Sequence, residues 1–135
     1  MDSVIIVLDA NVLIAFSRRD HEYHERAAGI LADPTVEYVV HQLTLAEYLV
    51  LPARQGLASD ALRWVRDAIG AHTPGDLLSG DDFTVLLANT RAATGLKMPD
   101  AIVLATAQSL GGYVATFDAK LRAASSTAGA LYDRD

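Results

Sequence analysis

Ser3-Val4-Ile5-Ile6-Val7-Leu8 is an apolar run rich in β-branched residues, and it stops abruptly at Asp9. Lacking polar alternation, it reads as a strand covered on both faces, of the kind found in parallel sheets. Two further strand candidates lie far along the chain, Val36 to Val40 and Tyr113 to Phe117, with helical patterns between them. Strands alternating with helices indicate an α/β sandwich around a mostly parallel sheet.

The intervening segments carry their own signals. Asn11 to Phe16 suits a short helix. Asp20 is a candidate cap for a second helix with Tyr23, Ala27, Ile30 and Leu31 on one side, stopped by Asp33-Pro34. Thr44 opens a helix through Leu45, Tyr48 and Leu49 that should break near Pro52 and Gly56. Ala58, Ala61, Leu62, Val65 and Ile69 keep amphipathic helical spacing. His72 to Leu78 is ambiguous and open to a short strand. Phe83, Leu86, Leu87 and Thr90 predict a helix capped by Ser79 or Asp81 and ended by Gly95. Pro99 fits the first turn of a helix from Asp100 to Leu110 that is apolar nearly all round, hence central, and Gly111-Gly112 ends it. A short helix and a weak strand near Ala130 to Tyr132 close the chain.

A length of 135 residues, without linker, repeat or low-complexity tract, predicts one domain over 1–135 with a core of useful size. The sequence has no cysteine, so thiolate metal sites and cysteine nucleophiles are excluded. Met1-Asp2-Ser3 lacks the basic start of a signal peptide, and no apolar run approaches a membrane span. A soluble, cytoplasmic protein is expected. Net charge is −6, at first sight unfavourable for a nucleic-acid partner. Four acids gathered in a metal site would change that balance, leaving −2 for the rest of the chain.

Asp9 and Asp118 each close a predicted strand. In open α/β sheets ligands bind outside the carboxyl ends of the strands, near a topological switch point, and both aspartates would reach that crevice if their strands are parallel neighbours. Each also suits capping of the helix that follows. Asp100 stands in the opening turn of an apolar helix, where the helix dipole alone would favour an acid. Thr44-Leu45-Ala46-Glu47 matches a capping box, which would give Glu47 a structural task. Several carboxylates converging in one crevice would repel one another unless protons or cations compensate, and oxygen-only ligands suit Mg²⁺ or Mn²⁺.

Four segments carry a resemblance to a known family. Val7-Leu8-Asp9-Ala10-Asn11-Val12-Leu13-Ile14 resembles the opening motif of PIN domains, and Leu43-Thr44-Leu45-Ala46-Glu47 their second acidic motif. Lys97-Met98-Pro99-Asp100-Ala101-Ile102-Val103-Leu104-Ala105-Thr106-Ala107 resembles the third, and Ala115-Thr116-Phe117-Asp118 the fourth. They occur in the family's order over nearly the whole chain, which is most similar to the VapC-type toxins of toxin–antitoxin pairs. The resemblance implies a three-layer α/β/α sandwich and a Mg²⁺- or Mn²⁺-dependent endoribonuclease acting on RNA. It implies Asp9 and Asp100 as principal metal ligands, Glu47 and Asp118 completing the catalytic acidic cluster, and Asn11 and Thr116 as polar supports behind it. It further implies a homodimer and a cognate antitoxin whose C-terminal segment covers the active site.

Other features have plainer readings. His21 and His24 fall three apart at a helix start without a zinc-site pattern, and a solvated helix end accounts for them. Tyr48 and Trp64 border apolar stripes and suit packing over base stacking. Arg18, Arg19, Arg54, Lys97, Lys120 and Arg122 are scattered, with Lys97, beside the third motif, the best placed to meet RNA. Two alternatives stay open. One is an Asp-nucleophile phosphatase on a Rossmann-like sheet, though Asn11 stands where such enzymes keep a second acid. The other is a non-catalytic RNA- or protein-binding PIN module.

Overall fold

The first apolar run becomes the central strand. In the computed structural model, which describes residues 3–75 and 79–133, β1 (Val4–Leu8) lies between β2 (Val36–Val39) and β3 (Tyr113–Ala115), and both pairings are parallel. Val7 stands opposite Val39 on one side and Val114 on the other. Side chains then alternate between two apolar layers: Ile6, Leu8, Tyr38, Val40 and Ala115 enter one, and Val7, Val39 and Val114 the other. Burial on both faces is why the run shows no polar alternation.

Seven helices among the described residues cover the sheet. α1 (Ala10–Ser17), α2 (His24–Ile30), α3 (Gln42–Arg54) and α4 (Ala58–Trp64, extended by a π-helical turn over Val65–Ile69) build the first layer. α6 (Met98–Leu110) and α7 (Ala119–Thr127) build the second, and α5 (Gly80–Thr94) packs on α6 through Phe83 and Ala105. Ala101 through Ala107 are all buried, so α6 is the central helix its all-round apolar composition predicts. This is the expected α/β/α sandwich. Among the described residues no helix is long and apolar enough to cross a membrane.

Several boundaries differ from the sequence reading. α2 begins at His24, and the preceding turn is closed by the Tyr23 N–H donating to His21 Nδ1 (3.0 Å), so Asp20 caps nothing. α3 begins at Gln42, two residues before Thr44, because His41 caps it: Nδ1 accepts from the Leu43 N–H at 3.0 Å. It also runs through Pro52 to Arg54, since a proline in the last turn forfeits a single backbone hydrogen bond. Ser79 stands at the cap position of α5, yet its hydroxyl donates to the Gly75 carbonyl instead. Within the ambiguous His72 to Leu78 segment, His72 forms one parallel bridge to Val39, while residues 76–78 lie outside the described residues. β3 is shorter than expected, and the last weak strand is a single bridge between Leu131 and Val114.

Gly111 and Gly112 stop α6 for two different reasons. Gly111 takes the left-handed conformation (φ 65°) that ends the helix. Gly112 lets the chain pass β1 closely: a Cβ there would stand 2.8 Å from the Ile5 carbonyl oxygen and 2.9 Å from its Cγ2. Gly112→Ala should therefore lower the free energy of unfolding by about 1–3 kcal/mol, as overpacking against backbone does. The urea midpoint checks this, and an unchanged value would show that β1 and β3 can part without cost.

Candidate active site

The strand order β2-β1-β3 places the topological switch point between β1 and β3, where the chain leaves the sheet on opposite sides. Asp9 follows β1 directly, and its N–H donates to the Ala115 carbonyl (3.0 Å), extending the ladder by one rung. The residue is only 7% exposed. Oδ1 accepts from the Ala10 N–H (2.8 Å), and Oδ2 accepts from the Thr116 hydroxyl (2.7 Å). The capping role that the sequence allows Asp9 is thus real, and it aims the carboxylate at β3.

Thr116 is the hub behind that carboxylate. Its Oγ1 donates to Asp9 and accepts from Asn11 Nδ2 (3.2 Å) and from the Asp118 N–H (3.0 Å). One hydroxyl offers one donor and two acceptor sites, so its capacity is full. Asn11 Oδ1 also accepts from the Phe117 N–H at 3.2 Å. Arg122 closes the other side, donating from Nη1 to the Thr116 carbonyl (3.2 Å) while Nη2 pairs with Asp133 (3.0 Å). The 116–118 loop is therefore fixed from α1 and from α7.

The remaining acids arrive on separate elements. Asp100 lies half-buried in the first turn of α6. Asp118 lies three residues past β3, and its Oδ2 accepts from the Leu121 N–H (2.9 Å), so it caps α7. Glu47 is exposed on the second turn of α3. Because His41, not Thr44, caps that helix, Glu47 has no capping-box duty. Among the described residues its carboxylate makes no hydrogen bond or ion pair.

Electrostatics ties these groups together. Burial is the main reason that the Asp9 carboxyl is pushed up to about 6, against the lowering pull of the Thr116 and Ala10 hydrogen bonds. The charges of Asp100 and Glu47 push in the same direction. The Asp100 carboxyl is raised as well, by burial first and then by Asp118, with Lys97 opposing. Asp9 therefore senses Asp100 and Glu47, and Asp100 senses Asp118. The acids share one neighbourhood, although among the described residues no three His, Cys, Asp or Glu side chains form a closed metal-ligand set.

The donor chemistry nonetheless fits a hard divalent cation. The groups offered are carboxylate oxygens, without imidazole or thiolate, and each Asp9 oxygen uses one lone pair in the hydrogen bonds above. A buried carboxylate facing like charges is a place where a cation lowers the energy.

Two of the features here escaped the sequence reading. His41 as a cap requires knowing where α3 starts. Arg26 lies over the Phe117 ring, 5.2 Å from its centroid, and the only hint was its spacing of three from Tyr23 on a helix. Tyr48 and Trp64 are packing groups: Tyr48 is buried, and Trp64 stacks on Phe16. His24 hydrogen-bonds the Ala15 carbonyl, and His21 serves the turn, so neither has metal-site geometry.

Comparison with known proteins agrees with this architecture. The fold is similar to VapBC2 from Rickettsia felis, solved bound to a DNA fragment from their promoter (12% identity, 89% of this chain and 92% of that one, TM-score 0.66). It is similar to VapC20 from Mycobacterium tuberculosis, a Sarcin-Ricin loop cleaving toxin (18% identity, 96% and 99%, TM-score 0.68). FitAcB from Neisseria gonorrhoeae is a third such structure (19% identity, 90% and 93%, TM-score 0.62). At these identities the likeness is one of fold. A sequence search among curated proteins finds no match. The PIN domain family model, however, matches residues 6–126, from the middle of β1 into the last turn of α7. That span takes in Asp9, Glu47, Asp100 and Asp118 together with the Thr116 hub, and the chain belongs to the PIN domain family.

Proposed function

We propose that this protein is a Mg²⁺- or Mn²⁺-dependent endoribonuclease and the toxin of a type II toxin–antitoxin pair. The observation that carries the reading is the buried Asp9 carboxylate, held at the β1–β3 switch point by Thr116 within the field of Asp100 and Glu47. Membership of the PIN family and the fold shared with VapC and FitAcB proteins support it. On the same grounds we assign it a homodimeric state, a cytoplasmic setting and an antitoxin whose C-terminal segment covers the acids.

Asp9 and Asp100 would hold the ion, with Glu47 and Asp118 completing the set directly or through water. A bound divalent ion supplies charge stabilisation at the phosphodiester and a more acidic water. The chain's own residues do the rest. Asp9 is immobilised by two hydrogen bonds, so it presents its free lone pairs without reorganisation. Glu47, open to solvent, would orient the attacking water and take its proton. Asp118 is held by its cap on α7, which fixes the loop after β3 against that helix. Cleavage adds water across a P–O bond of the RNA backbone, and the departing oxygen takes up a proton from solvent.

The phosphatase reading loses ground at Asn11. That side chain spends both its ends on the 116–117 loop, which makes it a structural pin and not a proton donor to a leaving group.

The test is cleavage of a mixed RNA pool by purified, partner-free protein with Mg²⁺, with Mn²⁺ or with EDTA, beside Asp100→Asn. Internal cuts that need the ion, and that fall more than about 100-fold in Asp100→Asn with unchanged circular dichroism, are expected, since lesser supporting groups already cost 10–100-fold. Undiminished cleavage by Asp100→Asn would remove the mechanism.

A further inference from the structure

Beside the acidic site an exposed guanidinium, that of Arg26, rests on two aromatic rings. Tyr23 and Phe117 stack with centroids 4.8 Å apart, and Arg26 lies over both rings, 5.6 Å from one and 5.2 Å from the other. Arg26 is exposed, and among the described residues it makes no ion pair and no hydrogen bond. A charged side chain on the surface normally samples many rotamers, at an entropic cost when it is later fixed. The two rings restrict this one before any ligand arrives.

Its position is tied to the chemistry. Phe117 sits in the chain between Thr116, which holds Asp9, and Asp118. Arg26, Thr116 and Arg122 line one cleft of about 690 Å³. Lys97 stands at the cap position of α6, which belongs to the opposite layer of the sandwich from α2, and its charge acts on Asp100. Cationic side chains from both layers therefore stand near the acids, Lys97 acting on Asp100 and Arg26 lying over the ring beside Asp118. In a chain of net charge −6 that placement has a consequence: a polyanion crossing the acids meets fixed positive charge on leaving them.

We propose that Arg26, seated on the Tyr23–Phe117 stack, contacts a phosphate of single-stranded RNA next to the scissile one, and that the cleft shared with Thr116 and Arg122 receives that stretch of strand. This rests on the nuclease reading above. Three acids also line the cleft, and two are already engaged. Asp133 pairs with Arg122, and Asp33 Oδ1 accepts from the Thr35 N–H (2.9 Å) and hydroxyl (2.6 Å). Glu25, also exposed, makes no hydrogen bond or ion pair among the described residues, and Glu25→Gln should tighten RNA binding by removing a repulsion.

The experiment measures RNA binding by the full chain carrying Asp9→Asn, which silences cleavage, using a labelled single-stranded RNA of mixed sequence. KCl is varied between about 50 and 200 mM, the range over which phosphate contacts show most clearly. Arg26→Gln should weaken binding several-fold and reduce the slope of log K against log salt by about 0.7, the value for one phosphate on a single strand. Arg26→Lys, which keeps the charge and loses the planar stack, should restore the slope and only part of the affinity. A merely structural Arg26 would move the melting temperature without moving the slope. Unchanged slope and affinity in Arg26→Gln, while the protein with Asp9 restored still cuts RNA, would overturn the contact and leave the nuclease standing. Unchanged RNA binding with weakened binding of a co-purified protein partner would assign Arg26 to that partner and overturn it equally. Protein that neither binds nor cuts RNA would sink both readings.

Discussion

Asp9→Asn should abolish RNA cleavage and, in metal-free buffer, gain stability relative to the wild type as the pH rises from about 4 to about 6. The two effects share one cause. Asp9 is a buried acid whose carboxyl is pushed up from 3.8 to about 6, chiefly by burial. A carboxyl with a folded pKa above its unfolded one binds its proton more tightly in the folded state. The folded protein is therefore favoured at low pH, and that advantage is lost as pH rises from about 4 to about 6. Above that window the ionised group costs up to about 3 kcal/mol, taking 1.36 kcal/mol per unit. Asparagine carries no charge and escapes that pH-dependent cost, while its Nδ2, a donor only, forfeits one of the two hydrogen bonds the carboxylate accepts at every pH. Thermal melts in EDTA should show the variant gaining on the wild type by up to about 3 kcal/mol between about pH 4 and pH 7. Added Mg²⁺ should offset that gain at neutral pH by stabilising the wild type alone. A difference between variant and wild type that stays constant over that pH range would show that the site is not strained in the way described.

Thr116→Val should damage both activity and stability, although valine has nearly the same shape. The substitution removes one hydroxyl and orphans three partners: the Asp9 Oδ2, the Asn11 amide and the Asp118 N–H. Each buried polar group left unpaired costs about 1–3 kcal/mol, reduced where water can reach it, so a loss of a few kcal/mol is expected. Activity should fall about 10–100-fold, as for groups that hold a metal-binding carboxylate in place. The Thr116 hydrogen bond also pulls the Asp9 carboxyl down. Without it that carboxyl rises further, and the acid limb of the pH–rate profile should move to higher pH. Thr116→Ser, which keeps the hydroxyl, should recover most of the rate and return the acid limb. An unmoved limb in Thr116→Val would mean that the hub does not tune Asp9.

How much of this could be read beforehand depended on the range of the interaction involved. The run from Val4 to Leu8 announces a doubly buried strand, because burial on both faces forbids polar residues at either phase of the pleat. The all-round apolar stretch from Ala101 to Ala107 announces a central helix for the same reason. Four acids in family order, with Asn11 and Thr116 beside them, directed attention to the ends of β1 and β3, where Asp9 and Asp118 stand. Local chemistry misled at Thr44: its capping-box pattern with Glu47 is sound within the sequence, but His41 supplies the cap two residues earlier. Cap choice depends on where the chain leaves β2, which adjacent residues do not encode.

The sequence by itself determined the α/β alternation, the doubly buried strand, the central helix and the set of acids, since each follows from periodicity or residue chemistry over a few positions. Only the tertiary structure decided the order β2-β1-β3, the single hydroxyl that joins Asp9 to Asn11 and Asp118, and the seating of Arg26 on two rings. Those contacts join residues up to 107 positions apart. They exist because the parallel pairing of β1 with β3 sets both strand ends side by side. No pattern along the chain specifies that pairing, which is selected by burying both apolar layers at once.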